Sequence, residues 1–416
     1  MFSSIFVFGI LFLFLFTVLI VSFLSLFKKK KKTDYEPNVS IVVPAYNEQK
    51  NIIKCLKSIY GSEYSKDKIE VIVVDDKSKD DTVAYLELFK RKCDPSLIII
   101  KEEHRGKSET LNAGIKAAKY DIIFTVDADT IISKDVLKKL VQPFLDEKVG
   151  ATNGSCVVRN RNSLLGMFQN IEYHYNNLIK KSFCTLFDNG IWFFGAFACY
   201  RKDVLEKIGY FKKHSLTEDA NAALEIYSAG YKTMNVHDAY GFVLVPKTIK
   251  GFFKQRTRWW IGVLQSLKAN KKLLSFKSSP SILFLFFNQY WWSFYSIISL
   301  PMIAYHFNYW LPYNTTTFYT FFMYTFRWFT LLGPVHVIYM IPEWGISLYS
   351  IFGVLSGLIT AFLIIKALYL FKEKIHLKNN IIGIFFYFPY TILLNIVIII
   401  SVIRAQFSKK SYFIKN

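Results

Sequence analysis

The chain has 416 residues, 52% of them hydrophobic and 18% aromatic, with a formal net charge of +21. That length holds one soluble domain of ordinary size plus several membrane helices. Cys55, Cys93, Cys156, Cys184 and Cys199 show no paired metal spacing. No RNA- or DNA-binding signature occurs, so nucleic acid ranks below a lipid surface as the partner of the positive charge.

Phe2 to Phe27 carries no charge. As a helix it extends about 39 Å at roughly 1.5 Å per residue, enough to cross a bilayer. A cleaved signal peptide would carry its positive charge ahead of the apolar run. Here Lys28 to Lys32 follow it. The pattern predicts an uncleaved anchor over 1–27 with the next residues held in the cytosol. The lysines also suit anionic headgroups, and the cytosolic setting leaves the thiols free.

Strand and helix patterns then alternate over a domain spanning 28–247. Val39 to Val43 is an apolar run of strand length ending in Pro44-Ala45-Tyr46-Asn47-Glu48, with Asn47 placed to cap a helix through Tyr60. Ile69–Val74, Ser96–Ile100 and Ile122–Val126 are further strands, the first ending at Asp75-Asp76 and the last at Asp127. Helical patterns between them predict an α/β fold with a mostly parallel sheet. Ligands of such sheets bind beyond the carboxyl ends of the strands, which places Asn47, Asp75, Asp76, Asp127 and Asp129 on one rim. Ser163–Ser182 is a long helix, Gly195–Tyr200 a strand and Glu218–Ser228 a helix stopped by Gly230.

Residues 248–275 form an amphipathic interfacial segment, helical from Thr248 to Ala269, and 276–416 a membrane region of three or four spans. Its apolar blocks lie near 281–306, 317–341, 346–371 and 382–403. The second contains Arg327, Pro334 and His336, which suits a span lining a polar path or a re-entrant segment. If all four span, Lys409-Lys410 is cytosolic but Lys372, Lys374 and Lys378 fall outside, against the usual bias.

Asp127-Ala128-Asp129 puts two carboxylates at one strand end, where they repel unless a cation sits between them or one is protonated. Mg²⁺ or Mn²⁺ completed by substrate phosphates fits; a helix cap is the plain alternative. Asp76 stands where acidic groups meet a ribose or base, or belongs to a solvated turn. Arg105-Gly106-Lys107 precedes a helix start, so Lys107 meets a diphosphate or lies in a turn. Glu218-Asp219 opens a helix, where Asp219 is either a cap or a general base for an acceptor hydroxyl. Gln255, Arg258 and Trp259 share one helix face, suited to a leaving diphosphate and a sugar ring or to anchoring an interfacial helix.

These motifs resemble those of membrane-integrated glycosyltransferase family 2, the group of cellulose, chitin, hyaluronan and poly-N-acetylglucosamine synthases. The matching stretches are Val43 to Glu48, Asp75-Asp76-Lys77-Ser78, Gly106 to Gly114, Tyr200-Arg201, the acidic motifs and Gln255-Arg256-Thr257-Arg258-Trp259. The resemblance covers about residues 38 to 262. It implies a GT-A fold over 28–247 and inverting transfer from a nucleotide-sugar, with a UDP-sugar foremost. On that analogy Pro44, Tyr46, Glu48, Asp76, Lys107, Asp127, Gln255, Arg256 and Arg258 bind the donor, and Asp127 with Asp129 holds Mg²⁺ or Mn²⁺. Asp219 is the base with Glu218 beside it, and Glu218 and Trp259 face the acceptor. Gln289, Trp291 and Trp292 suit a polymer path or an aromatic belt.

The leading expectation is a synthase in the plasma membrane, its catalytic domain cytosolic, extending a polysaccharide and coupling extension to export. The alternative is single transfer to a membrane lipid, since ceramide glucosyltransferases carry a similar Arg-Trp motif. An inactive scaffold is disfavoured by the intact carboxylate set, and a dinucleotide oxidoreductase by the lack of Gly-x-Gly-x-x-Gly after the first strand. Homo-oligomerisation stays open.

Overall fold

Val39–Ala45 (β1) is buried because parallel neighbours flank it on both sides, β2 (Ile69–Asp75) and β4 (Ile122–Val126). A computed structural model of the chain describes residues 2–28, 34–213, 215–310, 333–339, 341–371, 382–385 and 387–407. Its remaining strands are β3 (Ile98–Lys101), β5 (Ile131–Ile132), β6 (Val149–Val158), β7 (Phe197–Arg201) and β8 (Lys232–Val243). They form one eight-stranded sheet in the order β3-β2-β1-β4-β7-β6-β8-β5. β3/β2, β2/β1, β1/β4 and β6/β8 pair parallel, while β4/β7, β7/β6 and β8/β5 pair antiparallel. The sheet is thus mostly parallel, as expected.

Helices cover both faces. They are α1 (Phe2–Leu24), α2 (Ile52–Tyr60), α3 (Thr82–Lys92), α4 (Lys107–Ala117), α5 (Val136–Leu140), α6 (Leu164–Phe187), α7 (Lys202–Lys207), α8 (Glu218–Ser228) and α9 (Ile249–Ala269). After them come α10 (Pro280–Trp310), α11 (Gly333–Tyr339), α12 (Ile341–Trp344), α13 (Leu348–Leu370), α14 (Ile382–Phe385) and α15 (Tyr387–Phe407). One core packs Ile41, Val43 and Phe124 against α2 and α5, and the other packs Val42, Ile72 and Val74 against Leu111 and Ile115 of α4. Gly114 allows that second contact, since a Cβ there would lie 2.4 Å from Val42. Ser163 and Thr248 cap α6 and α9, accepting from Gly166 N–H and Gly251 N–H.

Asn47 does not cap α2, which begins after Asn51. Asn47 lies in the left-handed region at φ 55°. Its N–H donates to Ser78 Oγ at 2.9 Å and its Oδ1 accepts from Lys79 N–H at 2.8 Å, tying the ends of β1 and β2 together. Strands β6 and β8 were not anticipated, because their inward positions carry polar groups. Two of those groups are satisfied inside: Thr152 Oγ1 donates to Leu140 O at 2.8 Å and Ser155 Oγ to His237 O at 2.9 Å.

Among the described residues, three helices are long and apolar enough to cross a membrane, over Ile5–Leu24, Ser350–Leu370 and Pro389–Gln406. The block at 281–306 forms a helix, α10, but is not among them, because Asn288, Gln289 and the rings beside them dilute its apolar run. Gly9 faces Phe352, and Lys366 Nζ donates to Ser22 Oγ at 2.9 Å, so α1 and α13 run parallel. Phe371, just past α13, packs on His174 of α6 with ring centroids 5.9 Å apart. The end of α13 therefore lies beside α6, at the end of the helix pair where α1 leads towards the sheet. Lys372, Lys374, Lys378, Lys409, Lys410 and most of 317–341 lie outside the described residues.

Candidate active site

Asp76 directly follows β2 at the sheet rim and is buried. Arg105 N–H donates to its Oδ1 at 2.8 Å and Gly106 N–H to its Oδ2 at 3.1 Å. Gly106 takes φ +91°, which an L side chain rarely adopts, and that turn aims its N–H at the carboxylate. His104 Nδ1 lies 2.8 Å from Asp76 Oδ2, and its ring stacks on Tyr46 at 4.4 Å. Pro44 and Tyr46 bring β1 to the same rim. His104 was missed from sequence, since nothing in a lone histidine marks it as a partner of a residue 28 positions earlier.

The centre of the site is a cavity of about 350 Å³ whose lining includes Lys107, Asp127, Asp129, Glu218, Asp219, Gln255, Arg258 and Trp259. Lys107 starts α4, and its Nζ lies 2.6 Å from Asp127 and 3.1 Å from Glu218. Burial pushes Asp127 up to about 6, against the pull of Lys107 and with help from Asp129. Burial, then the charge of Glu48, also raises Asp129. Glu48 itself is raised by burial, with Asp127 and Asp80 adding to it. Burial would raise Glu218 too, but Lys107 and then Arg258 hold it below the usual carboxylate range.

Asp219 differs from its neighbour. Gly195 N–H donates to its Oδ2 at 2.6 Å and Ala220 N–H to its Oδ1 at 2.8 Å. Burial and the adjacent Glu218 nonetheless lift it to about 6. The site therefore pairs a carboxylate held ionised by a lysine with one poised to take a proton near neutrality. Gly195 was not singled out, because its importance is the 24-residue contact to Asp219.

Helix α9 contributes Gln255, Arg258 and Trp259 to the cavity wall. Arg258 Nη1 donates to Leu216 O at 2.8 Å. Gln255 Oε1 and Thr217 Oγ1 are buried without a hydrogen-bond partner among the described residues. Arg256, expected on the donor, points elsewhere: its two Nη groups make a bidentate pair with Glu172 at 2.7 and 2.8 Å. Gln289, Trp291 and Trp292 are not brought to this cavity, which α10 reaches through Ile282 and Leu285. Trp292 packs edge-on to Phe14 of α1 at 5.8 Å, and Trp291 joins the same apolar cluster.

The residues fit a divalent cation of limited kind. No group of three or more His, Cys, Asp or Glu is set to hold a metal among the described residues. Asp127 and Asp129 instead offer two raised carboxylates facing one cavity, so phosphate oxygens would have to complete the shell, the usual Mg²⁺ arrangement.

Residues 37–262 match the family described as glycosyltransferase like family 2. Poly-beta-1,6-N-acetyl-D-glucosamine synthase of Staphylococcus aureus is 33% identical over 223 residues, 53% of each chain. The Staphylococcus epidermidis enzyme of that name is 33% identical over 237 residues, 56% of each chain. The chain thus matches about half the length of these curated relatives. Among solved structures, a mannosyltransferase from Pyrobaculum calidifontis in complex with GDP-Man and Mn²⁺ is similar at TM-score 0.60 and 21% identity, covering 98% of this chain and 100% of that one. That likeness is one of fold.

Proposed function

The chain belongs to glycosyltransferase-like family 2 and is a glycosyltransferase with a GT-A-like domain; from that premise we propose that it is an inverting synthase extending a membrane-associated glycan from a UDP-sugar. N-Acetylglucosamine is the sugar favoured by the relatives' names. The observation that carries the reading is the contrast within one cavity between Glu218, paired with Lys107, and Asp219, lifted to about 6 and fixed by the Gly195 amide.

In this reading the nucleoside lies along Tyr46, His104 and Asp76, and its diphosphate reaches Lys107, Gln255 and Arg258. Asp127 and Asp129 would hold a divalent cation, which would supply charge neutralisation at the diphosphate. Asp219 takes the proton from the acceptor hydroxyl, and the freed oxygen attacks the anomeric carbon opposite the leaving group. One carboxylate base suffices, so the configuration inverts. Glu218 orients the acceptor and Lys107, while Trp259 offers its face to the acceptor sugar. Gln255 Oε1 and Thr217 Oγ1, without a partner among the described residues, supply further hydrogen-bond positions for substrate.

The catalytic domain spans 28–247 on the cytosolic face of the plasma membrane in this reading, with α9 at the interface. Purified full-length protein in detergent, given a panel of nucleotide-sugars with Mg²⁺ or Mn²⁺, tests it. A long glycan from UDP-N-acetylglucosamine supports the synthase. A lipid-extractable monosaccharide establishes single transfer instead, and no turnover of any donor rejects both.

A further inference from the structure

Behind the cavity wall lies a polar group that the transfer reaction does not use. Glu172 of α6 accepts both Nη groups of Arg256 from α9, and the Tyr390 hydroxyl of α15 donates to Glu172 Oε2. All three residues are buried. Tyr390 is the second residue of the apolar stretch Pro389–Gln406, so the bond joins a membrane helix to the catalytic unit. The three-residue set is the hydrogen-bonded junction of α6, α9 and α15.

Its position relative to the cavity is specific. The Arg256 guanidinium lies over the Trp259 ring at 4.8 Å, and over Tyr173 at 5.8 Å. Trp259 and Tyr173 both line the cavity. The Glu172–Arg256 fork therefore holds two cavity-facing rings from behind, one on each helix. Burying a charge pair in this way adds little stability over apolar packing of equal volume. What a bidentate fork supplies is fixed geometry between the groups it joins.

We propose that Tyr390, Glu172 and Arg256 are positioning residues that tie the last membrane helix to Trp259, so that acceptor engagement depends on the seating of α15. The proposal rests on the reading of Trp259 as acceptor-facing. It assigns none of the three a contact with substrate. Tyr390 fixes the carboxylate, the carboxylate fixes the guanidinium, and the guanidinium sets the plane of the indole.

Tyr390→Phe tests this, because it removes one hydroxyl and keeps the ring contacts with Phe168 and Phe252. The full chain in nanodiscs is assayed with UDP-N-acetylglucosamine and a β-1,6-linked N-acetylglucosamine pentamer. Tyr390→Phe raises acceptor KM by roughly 3- to 30-fold, within the span of measured couplings. It changes donor KM and UDP affinity by less than it raises acceptor KM. On a Trp259→Ala background it adds no further rise, which a general loss of stability would not reproduce.

Hydrogen exchange gives a second measurement that needs no substrate. Tyr390→Phe speeds exchange of α9 amides over Gln255–Trp259 and leaves α4 unchanged. Unaltered α9 exchange overturns the relay even if no donor is turned over. A raised acceptor KM in Trp259→Ala together with a wild-type value in Tyr390→Phe overturns the relay alone. A wild-type acceptor KM in Trp259→Ala removes the acceptor reading of Trp259, and the proposal with it.

Discussion

The backbone amide of Gly195 donates to Asp219 Oδ2 at 2.6 Å, and a Cβ on Gly195 would lie 2.5 Å from the Asp219 Cβ. The strand approach before β7 and the start of α8 thus meet at a point where only glycine fits. The contact fixes the carboxylate proposed as the base and leaves its other oxygen on the Ala220 amide.

Gly195→Ala should therefore displace Asp219 without touching donor residues. Turnover is expected to fall by about 10²-fold, as for small misplacements of a reacting group, while UDP binds as in the wild type. Calorimetric titration of UDP beside steady-state kinetics checks both halves.

Asp219→Asn keeps the shape and loses the proton acceptor. The expected loss in kcat is roughly 10²–10⁴-fold with donor affinity retained. Transfer at the wild-type rate would reduce Asp219 to a helix cap.

The pH profile should carry the same signature. Asp219 is lifted from 3.8 to about 6 by burial and by Glu218, so the base is unprotonated only above that value. Activity should fall as pH drops through about 6. For stability the sign is opposite: the folded state holds the proton more tightly, so the contribution of Asp219 increases as pH falls from 6 towards 3.8. Rates and unfolding midpoints measured between pH 5 and 8 separate the two trends.

Excess chelator should abolish turnover if Asp127 and Asp129 hold a cation with the donor diphosphate, and Asp129→Ala should lose the metal-dependent part of UDP binding. Full activity in chelator would remove the cation from the mechanism.

Gln289 is buried in α10, and its Nε2 has no partner among the described residues. A buried amide left without a hydrogen-bond partner is costly unless something polar meets it. Gln289→Leu is expected to leave first-sugar transfer intact and to shorten or retain the product. Product sizing by gel checks this, and unchanged exported chains would assign the helix to packing alone.

The sheet and its rim were legible because near-continuous apolar runs of strand length alternated with helical patterns, and two of them ended at acidic residues. Asp76, Asp127 and Asp129 needed no tertiary information to be placed on one edge. The face of α9 was also legible, since Gln255, Arg258 and Trp259 stand at i, i+3 and i+4; at about 100° per residue Arg256 falls only about 60° from Trp259, so the spacing did not reveal that it turns away. The sequence by itself thus determined the fold class, the order of the acidic sites and the family. It could not determine what Arg256 meets, because Glu172 lies 84 residues away and Tyr390 a further 218 beyond Glu172. Nor could it determine the environment that lifts Asp219, or the direction of α13, which follows from Ser22 meeting Lys366 across 344 residues. Local patterns encode backbone periodicity and which face a residue occupies. Burial, ion pairing and helix direction depend on which distant segments come to lie against that face, and only packing of the whole chain decides that.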